Sequence, residues 1–261
     1  MKTLGLDIGG SKVDIVMYDG DFKFIERIPT SRESILNLNE KINSLIRELE
    51  IDAVGIGFAG WIKNGKIFRA PNIPLDPDEI KFEIEVPYAI ENDATCFAFG
   101  ASEIEKIGRR IVGITLGTGI GCGLVFNGKF IDGLAGELGH ITVGEEGLRC
   151  VCGGKDHLEC YFSGWAFEKK YGDVKKAFKT GAVYSDRGFK ILSVSIANLI
   201  MLFDPDAVVI GGGISKSLDI GILKRKILEY LSPEYSPTIV KARDEVLSAK
   251  GAALLPHRAG E

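Results

Sequence analysis

Leu4-Gly-Leu-Asp-Ile-Gly-Gly-Ser-Lys-Val-Asp-Ile-Val-Met-Tyr-Asp-Gly-Asp-Phe22 aligns without a gap to Val112-Gly-Ile-Thr-Leu-Gly-Thr-Gly-Ile-Gly-Cys-Gly-Leu-Val-Phe-Asn-Gly-Lys-Phe130. Gly5, Gly9, Gly20 and Phe22 fall on Gly113, Gly117, Gly128 and Phe130, and apolar positions match through most of the remainder. Each copy reads as a strand, a glycine-rich turn, a second strand, a tight Asp-Gly or Asn-Gly turn and a third strand. Unrelated hairpins share glycine but rarely share register over this length. The chain therefore reads as a duplicated lobe, with each glycine-rich turn presenting backbone N–H groups to a phosphate from opposite sides of a cleft.

Outward from the two hairpins, helical and strand patterns alternate. Glu33 to Glu50 spaces Ile35, Leu38, Ile42, Leu45, Ile46 and Leu49 near 3.6 residues, which predicts a helix. Ala53–Gly57 and Val86–Ile90 read as strands and Asp93–Ile107 as a helix. In the second half, Arg187–Phe203 reads as an apolar helix, Ala207–Ile210 as a strand, and Ser215–Leu231 and Asp244–Leu255 as helices. Strands alternating with helices predict an α/β fold whose sheets are covered by helices. The expected division is an N-terminal lobe over 1–108, joined by a C-terminal helix within 244–261, and a second lobe over 109–243.

The composition narrows the class of function. Of 261 residues, 45% are hydrophobic and 26% charged, as in ordinary soluble domains, and the 33 glycines cluster between apolar runs as turns do. The formal net charge is -4 with no basic stripe, so nucleic-acid binding has no electrostatic support. No apolar run is long enough for a bilayer, so no membrane partner is expected. The N-terminus lacks a signal pattern, and a cytoplasmic location is expected. Five cysteines do not make a disulfide scaffold in a chain of this length.

Several short segments carry chemistry. Asp7-Ile-Gly9-Gly10-Ser11-Lys12 follows a strand directly; its glycines admit a phosphate, and Ser11 and Lys12 can donate to its oxygens. Asp7 is placed to orient magnesium, with or without an intervening water. A glycine hairpin with a surface lysine has the same sequence, and Leu116-Gly117-Thr118-Gly119 strengthens the phosphate reading by completing the site from the other side. Side chains at Gly10 and Gly119 are expected to weaken nucleotide binding far more than sugar binding. Gly211-Gly212-Gly213 leaves room for a flat ring or ribose, where a plain strand-to-helix turn needs fewer glycines. Asp93 in Glu91-Asn92-Asp93 either caps the following helix or accepts a hydroxyl proton, with Asn92 fixing the acceptor. His140, Cys150, Cys152 and His157 fall in one short window, and two imidazoles with two thiolates suit tetrahedral zinc. Cys160 is left over as a small packed residue. Glu137 and Glu159 flank this cluster, either as surface glutamates or as acceptors for sugar hydroxyls.

Taken in order, these segments resemble the ROK (repressor, open reading frame, kinase) family, which includes bacterial and archaeal glucokinases. The resemblance rests on Asp7-x-Gly-Gly-Ser11, Gly57-Phe-Ala-Gly60, Ala70-Pro-Asn72-Ile-Pro74, Glu91-Asn-Asp-Ala94, Gly117-Thr-Gly119, Gly136-Glu-Leu-Gly-His140, Cys150-x-Cys-Gly153, His157-x-Glu159, Ser163-Gly164 and Gly211-Gly-Gly213. It implies a duplicated actin-like ATPase (ribonuclease H-like) fold with two lobes around a cleft. It further implies Asp93 as the base, and Gly60, Asn72, Asn92, Glu137, His140 and Glu159 at the sugar. Asp7, Gly9, Gly10, Ser11, Lys12, Thr118, Gly119, Gly211, Gly212 and Gly213 fall at the nucleotide. His140 would touch sugar with one ring nitrogen and a structural zinc with the other, beside Cys150, Cys152 and His157. The expected reaction is ATP-Mg2+-dependent phosphorylation of a hexose, at the 6-hydroxyl of glucose; N-acetylhexosamine, mannose or fructose kinases and a non-catalytic sugar sensor share these motifs. A homodimer is expected. The chain departs from the family pattern at His157, where a third cysteine is usual, at Ala59, where proline is common, and in its shorter segment after Ser163. With Asp7 so near the start, the DNA-binding domain that family repressors carry is not expected.

Overall fold

The computed structural model describes residues 1–131 and 133–258. The strands in chain order are β1 (Thr3–Ile8), β2 (Lys12–Tyr18), β3 (Phe22–Pro29), β4 (Ala53–Phe58), β5 (Trp61–Lys63), β6 (Lys66–Arg69), β7 (Tyr88–Asn92), β8 (Arg110–Leu116), β9 (Ile120–Phe126), β10 (Lys129–Phe130), β11 (Ala207–Gly211) and β12 (Thr238–Lys241). The α-helices are α1 (Arg32–Leu36), α2 (Leu38–Leu49), α3 (Asp93–Gly100), α4 (Leu158–Tyr161), α5 (Gly164–Tyr171), α6 (Val174–Lys179), α7 (Arg187–Phe203), α8 (Ile220–Leu228) and α9 (Leu247–Leu254). None of the helices described is long and apolar enough to cross a membrane.

Two five-stranded sheets share one plan. The first runs β3-β2-β1-β4-β7 and the second β10-β9-β8-β11-β12, so the repeat in the sequence is a repeat of sheet order. In each, an antiparallel hairpin leads into parallel pairings: β1 with β4 and β4 with β7 in one, β8 with β11 and β11 with β12 in the other. The strands β4 and β11 are buried along their whole length, which is why they read as unbroken apolar runs. The hairpin tips carry Gly20 (φ +113°) and the pair Asn127 (φ 53°) and Gly128 (φ 75°), conformations that favour Gly and Asn.

Side-chain alternation assigns each face. Leu4, Leu6 and Ile8 point outward into a cluster with Ile42, Leu45 and Ile46 of α2. Val112, Ile114 and Leu116 meet Leu192 and Ile196 of α7 on the outside of the second sheet. The opposite faces turn toward α3 and α9, which pack on each other between the sheets. A Cβ on Gly5 would stand 2.2 Å from the Ala249 carbonyl oxygen of α9, and one on Gly113 would stand 2.7 Å from Ala98 Cβ of α3. The matching glycines Gly5 and Gly113 therefore exist for close helix packing, not for the phosphate turns.

Several expected bounds change. The single helix over Glu33–Glu50 is split at Asn37 into α1 and α2, with a Ser31/Ser34 capping box at its start. The strand expected at Val86–Ile90 lies at Tyr88–Asn92. The helix over Asp93–Ile107 ends as a regular α-helix at Gly100 and continues as a wider turn over Ala101–Glu105. Ser215–Leu231 resolves into a 3-10 turn at Ile214–Lys216 followed by α8, because Asp219 caps α8 through Gly221 N and Ile222 N. The last helix starts at Leu247 and ends in a 3-10 turn at Leu255–Arg258; residues 259–261 lie outside the described residues. The β5–β6 hairpin adds to the expected elements, and Asn64-Gly65 (φ 51° and 70°) is its two-residue turn signal in the sequence.

Candidate functional site

Every residue expected at sugar or nucleotide lines one cleft of about 930 Å³ between the two sheets, while Cys150, Cys152 and His157 lie behind its wall. Its floor is built by the glycine turns. Gly9 N–H donates to Lys12 O at 2.9 Å and Gly117 N–H to Gly119 O at 3.0 Å, so each turn closes on itself, the second one residue tighter than the first. Thr30 ties the first turn to β3, its hydroxyl donating to Gly9 O at 2.6 Å and its N–H to Ser11 O at 3.1 Å. Across the cleft, the Ser11 and Thr118 hydroxyls lie 3.4 Å apart, so the turns meet.

The glycines have distinct reasons. A Cβ on Gly10 would stand 2.8 Å from Asn72 O, and one on Gly119 would stand 2.3 Å from Glu159 Oε2. A side chain at Gly119 would therefore press on the Glu159 carboxylate as well as on the glycine turn. Asn72 sits between the turns, with Nδ2 3.6 Å from the position of a Gly119 Cβ. Gly211 is required by the ring of Phe97 at 2.4 Å and Gly212 (φ +85°) by Leu116 O at 2.4 Å, so of the three glycines only Gly213 faces open space.

The capping role weighed for Asp93 falls to its neighbour. Asn92 is the N-cap of α3: its Oδ1 accepts from Ala94 N at 2.9 Å and Thr95 N at 3.1 Å. Its Nδ2 donates to Gly60 O at 3.0 Å, leaving one amide hydrogen for a ligand. Asp93 is the first helical residue, with Oδ1 accepting from Ala94 N at 2.9 Å. Burial pushes its carboxyl up to about 6 against the lowering effect of that backbone bond. Asp7 is raised well above the usual carboxylate range by burial first, and then by the neighbouring charges of Asp93 and Asp14.

The opposite end is walled by Glu137, His140 and Glu159. Burial raises Glu137 to about 7, helped by the charge of Asp93 and opposed by a hydrogen bond from Trp61. Glu159 is almost fully buried; Oε2 accepts from Ile120 N at 3.0 Å and Oε1 from Trp165 Nε1 at 3.2 Å, which joins the second glycine turn to this wall. Burial raises its carboxyl as well. His140 faces Glu137 with Nε2 at 3.9 Å and stacks edge-on against Trp61 with ring centroids 5.7 Å apart.

Behind this wall, one donor atom from each of His140, Cys150, Cys152 and His157 lies within 4.8 Å of the others. His140 Nδ1 is 3.6 Å from Cys150 Sγ and His157 Nδ1 is 3.2 Å from Cys152 Sγ. Those separations match the edges of a tetrahedron around an ion bound at roughly 2.0–2.3 Å. Burial lowers His140 to about 4, which keeps the imidazole neutral as a metal ligand must be. Cys160 donates to Leu148 O at 3.8 Å and is not among the four.

Other cleft residues had no signal in the sequence. Val174, Lys175 and Phe178 of α6 line the cleft, and Arg243, Asp244 and Glu245 enter from the segment before α9. Trp61 comes from the unrecognised hairpin. Arg27 of the largely exposed strand β3 also lines the cleft.

A model of the ROK family matches residues 3–258. An N-acetyl-D-glucosamine kinase of Aliivibrio salmonicida is 32% identical, over 96% of this chain and 98% of the relative. The crystal structure of a ROK family glucokinase from Streptomyces griseus, in complex with glucose and AMPPNP, superposes with a TM-score of 0.79 at 26% identity, covering 98% of this chain and 99% of that one. A ROK hexokinase from Thermus thermophilus gives a TM-score of 0.79 at 25% identity over the full length of both chains.

Proposed function

Because the chain belongs to the ROK family, we propose that it is an ATP-dependent sugar kinase that phosphorylates a hexose, glucose at its 6-hydroxyl. The observation that carries this reading is Asp93: a recessed carboxylate at a helix start, raised to about 6, electrostatically coupled to Asp7 on the glycine-turn side and to Glu137 on the other. Phosphoryl transfer depends on positioning and charge stabilisation more than on covalent help from the protein. The backbone N–H groups of the two glycine turns, with Ser11, Lys12 and Thr118, hold the phosphates, and Gly213 admits the nucleoside. Asp7 is the residue that would orient a magnesium ion, which when bound neutralises charge on the phosphates.

Glu137, His140 and Glu159 bind sugar hydroxyls, and Gly60, Asn72 and Asn92 shape the facing wall. As the sugar oxygen bonds to the γ-phosphorus, its proton passes to Asp93 and the bond to the β-phosphate oxygen breaks, releasing ADP. His140, Cys150, Cys152 and His157 would hold a structural zinc, which when bound cross-links the loop that carries His140 and precedes Glu159. Lobe closure about the junction near residue 108 excludes water from the reacting oxygen.

N-acetylglucosamine is the second reading, favoured by the 32% identity to an N-acetyl-D-glucosamine kinase. A panel of glucose, N-acetylglucosamine, mannose and fructose with ATP, scored by ADP release, separates the readings. Glucose is expected to give the highest kcat/KM; a higher value for N-acetylglucosamine makes the second reading correct, and no sugar-dependent ADP release rejects both.

A further inference from the structure

Residues opposite each other on paired strands share a face of the sheet. The pairs Asp7↔Asp14 and Asp14↔Arg27 therefore set three ionisable side chains in a row across β1, β2 and β3. Lys12, two residues before Asp14, lies on the same face. Asp14 is fully buried; it is ion-paired with Lys12 Nζ, and it accepts from Arg27 Nε at 2.5 Å and Arg27 Nη2 at 3.1 Å.

A carboxylate at a core-facing strand position is unfavourable unless paired, and one cation satisfies that need. Here there are two, and both side chains remain about two-fifths exposed and line the cleft beside the first glycine turn. Asp14 engages Arg27 through Nε and Nη2, so Nη1 stays clear of it, and the Lys12 ammonium keeps donors to spare. The other charged groups near Arg27 are Asp7 and Glu245, and Glu245 is held by Lys216 at 2.7 Å. A fork clamped on one edge with its other edge at a phosphate-binding turn is the arrangement in which arginine binds phosphate best.

We propose that Arg27 is a second cationic ligand, beside Lys12, for the phosphate groups of the nucleotide, and that Asp14 is the positioning residue that aims both. This rests on the reading of the cleft as that of an ATP-dependent kinase. The test is calorimetric titration of the full chain with ATP-Mg2+, adenosine and glucose, alongside steady-state kinetics. Arg27→Gln is expected to weaken ATP binding about tenfold or more, the scale of a lost charge-assisted hydrogen bond, and to leave adenosine and glucose unchanged. Arg27→Lys should recover part of the loss. Asp14→Asn should raise the KM for ATP more than it lowers kcat, and its double variant with Arg27→Gln should lose no more than the larger single loss.

Equal weakening of ATP, adenosine and glucose in Arg27→Gln means that the row only holds the sheet together, which overturns the proposal. Unchanged ATP binding in Arg27→Gln overturns it even where Asp14→Asn does not fold. If wild-type protein binds ATP but phosphorylates no sugar, the kinase reading fails while the ATP titration of Arg27→Gln still decides the proposal. If wild-type protein binds no ATP, both fall.

Discussion

Asp93 lies where two local roles compete for one carboxylate, and Asn92 takes the capping role. That division makes Asp93→Asn a clean change, because it leaves the Asn92 cap of α3 in place and removes a buried charge. The variant is expected to fold with an undiminished Tm and to lose about a hundredfold to ten-thousandfold in kcat. Near-normal turnover in the folded variant would remove Asp93 from the mechanism. The raised carboxyl also sets a pH limb. A base with a pKa of about 6 is protonated and idle below that value and ionised above it, so kcat/KM should climb through pH 6 and level off near neutrality. A profile flat from pH 5 to 7 contradicts the assignment. That an acid stands at this strand–helix junction was legible in Glu91-Asn92-Asp93. Which neighbour caps was not, because it depends on where the strand releases the backbone: Asn92 has φ -59° and ψ 142°, and Asp93 is already helical.

The turns and the metal loop behave as units. Gly10→Val places atoms against Asn72 O, at the first turn, and is expected to raise the KM for ATP more than that for sugar, whose facing wall Asn72 helps to shape. Gly119→Val instead pushes on Glu159, which would lose its bond from Ile120 N, so the KM values for both ATP and sugar should rise. An unchanged sugar KM in Gly119→Val would separate Glu159 from the sugar. In the loop proposed to hold zinc, Cys152→Ser would replace a thiolate ligand with a neutral hydroxyl. It is expected to purify with substoichiometric zinc, to be cut faster by protease between 140 and 160, and to need more sugar while ATP binding is retained. Full zinc content with intact sugar affinity in that variant defeats the structural-zinc reading; loss of ATP binding alone assigns the metal to the other end of the cleft. The cluster of His140, Cys150, Cys152 and His157 was legible because Cys and His are scarce and crowd one window. The helix break at Asn37 was not, because the apolar period runs through it without interruption.

Across the molecule, the two sheets meet through α3 and α9, and the approach is close: a Cβ on Gly251 would stand 1.9 Å from Cys96 O. The cleft opens beside this contact and takes side chains from both sheets, which is the arrangement in which a ligand gains most by drawing two halves together. Glucose with a non-hydrolysable ATP analogue is therefore expected to reduce the radius of gyration in solution scattering. An unchanged radius would remove lobe closure as the means of excluding water. The repeat Leu4–Phe22 and Val112–Phe130 was enough by itself to determine two equivalent sheets, their leading hairpins and the two glycine turns, because strand alternation and turn chemistry are encoded between residues near in the chain. Only the tertiary structure decided that Gly5 and Gly113 serve helix packing, that Gly119 answers to Glu159, and that Arg27, Phe178 and Arg243 share one cleft. Those relations join segments as far apart in the chain as Gly5 and Ala249, and they follow from how two sheets settle on a shared pair of helices, a balance of packing that no local pattern records.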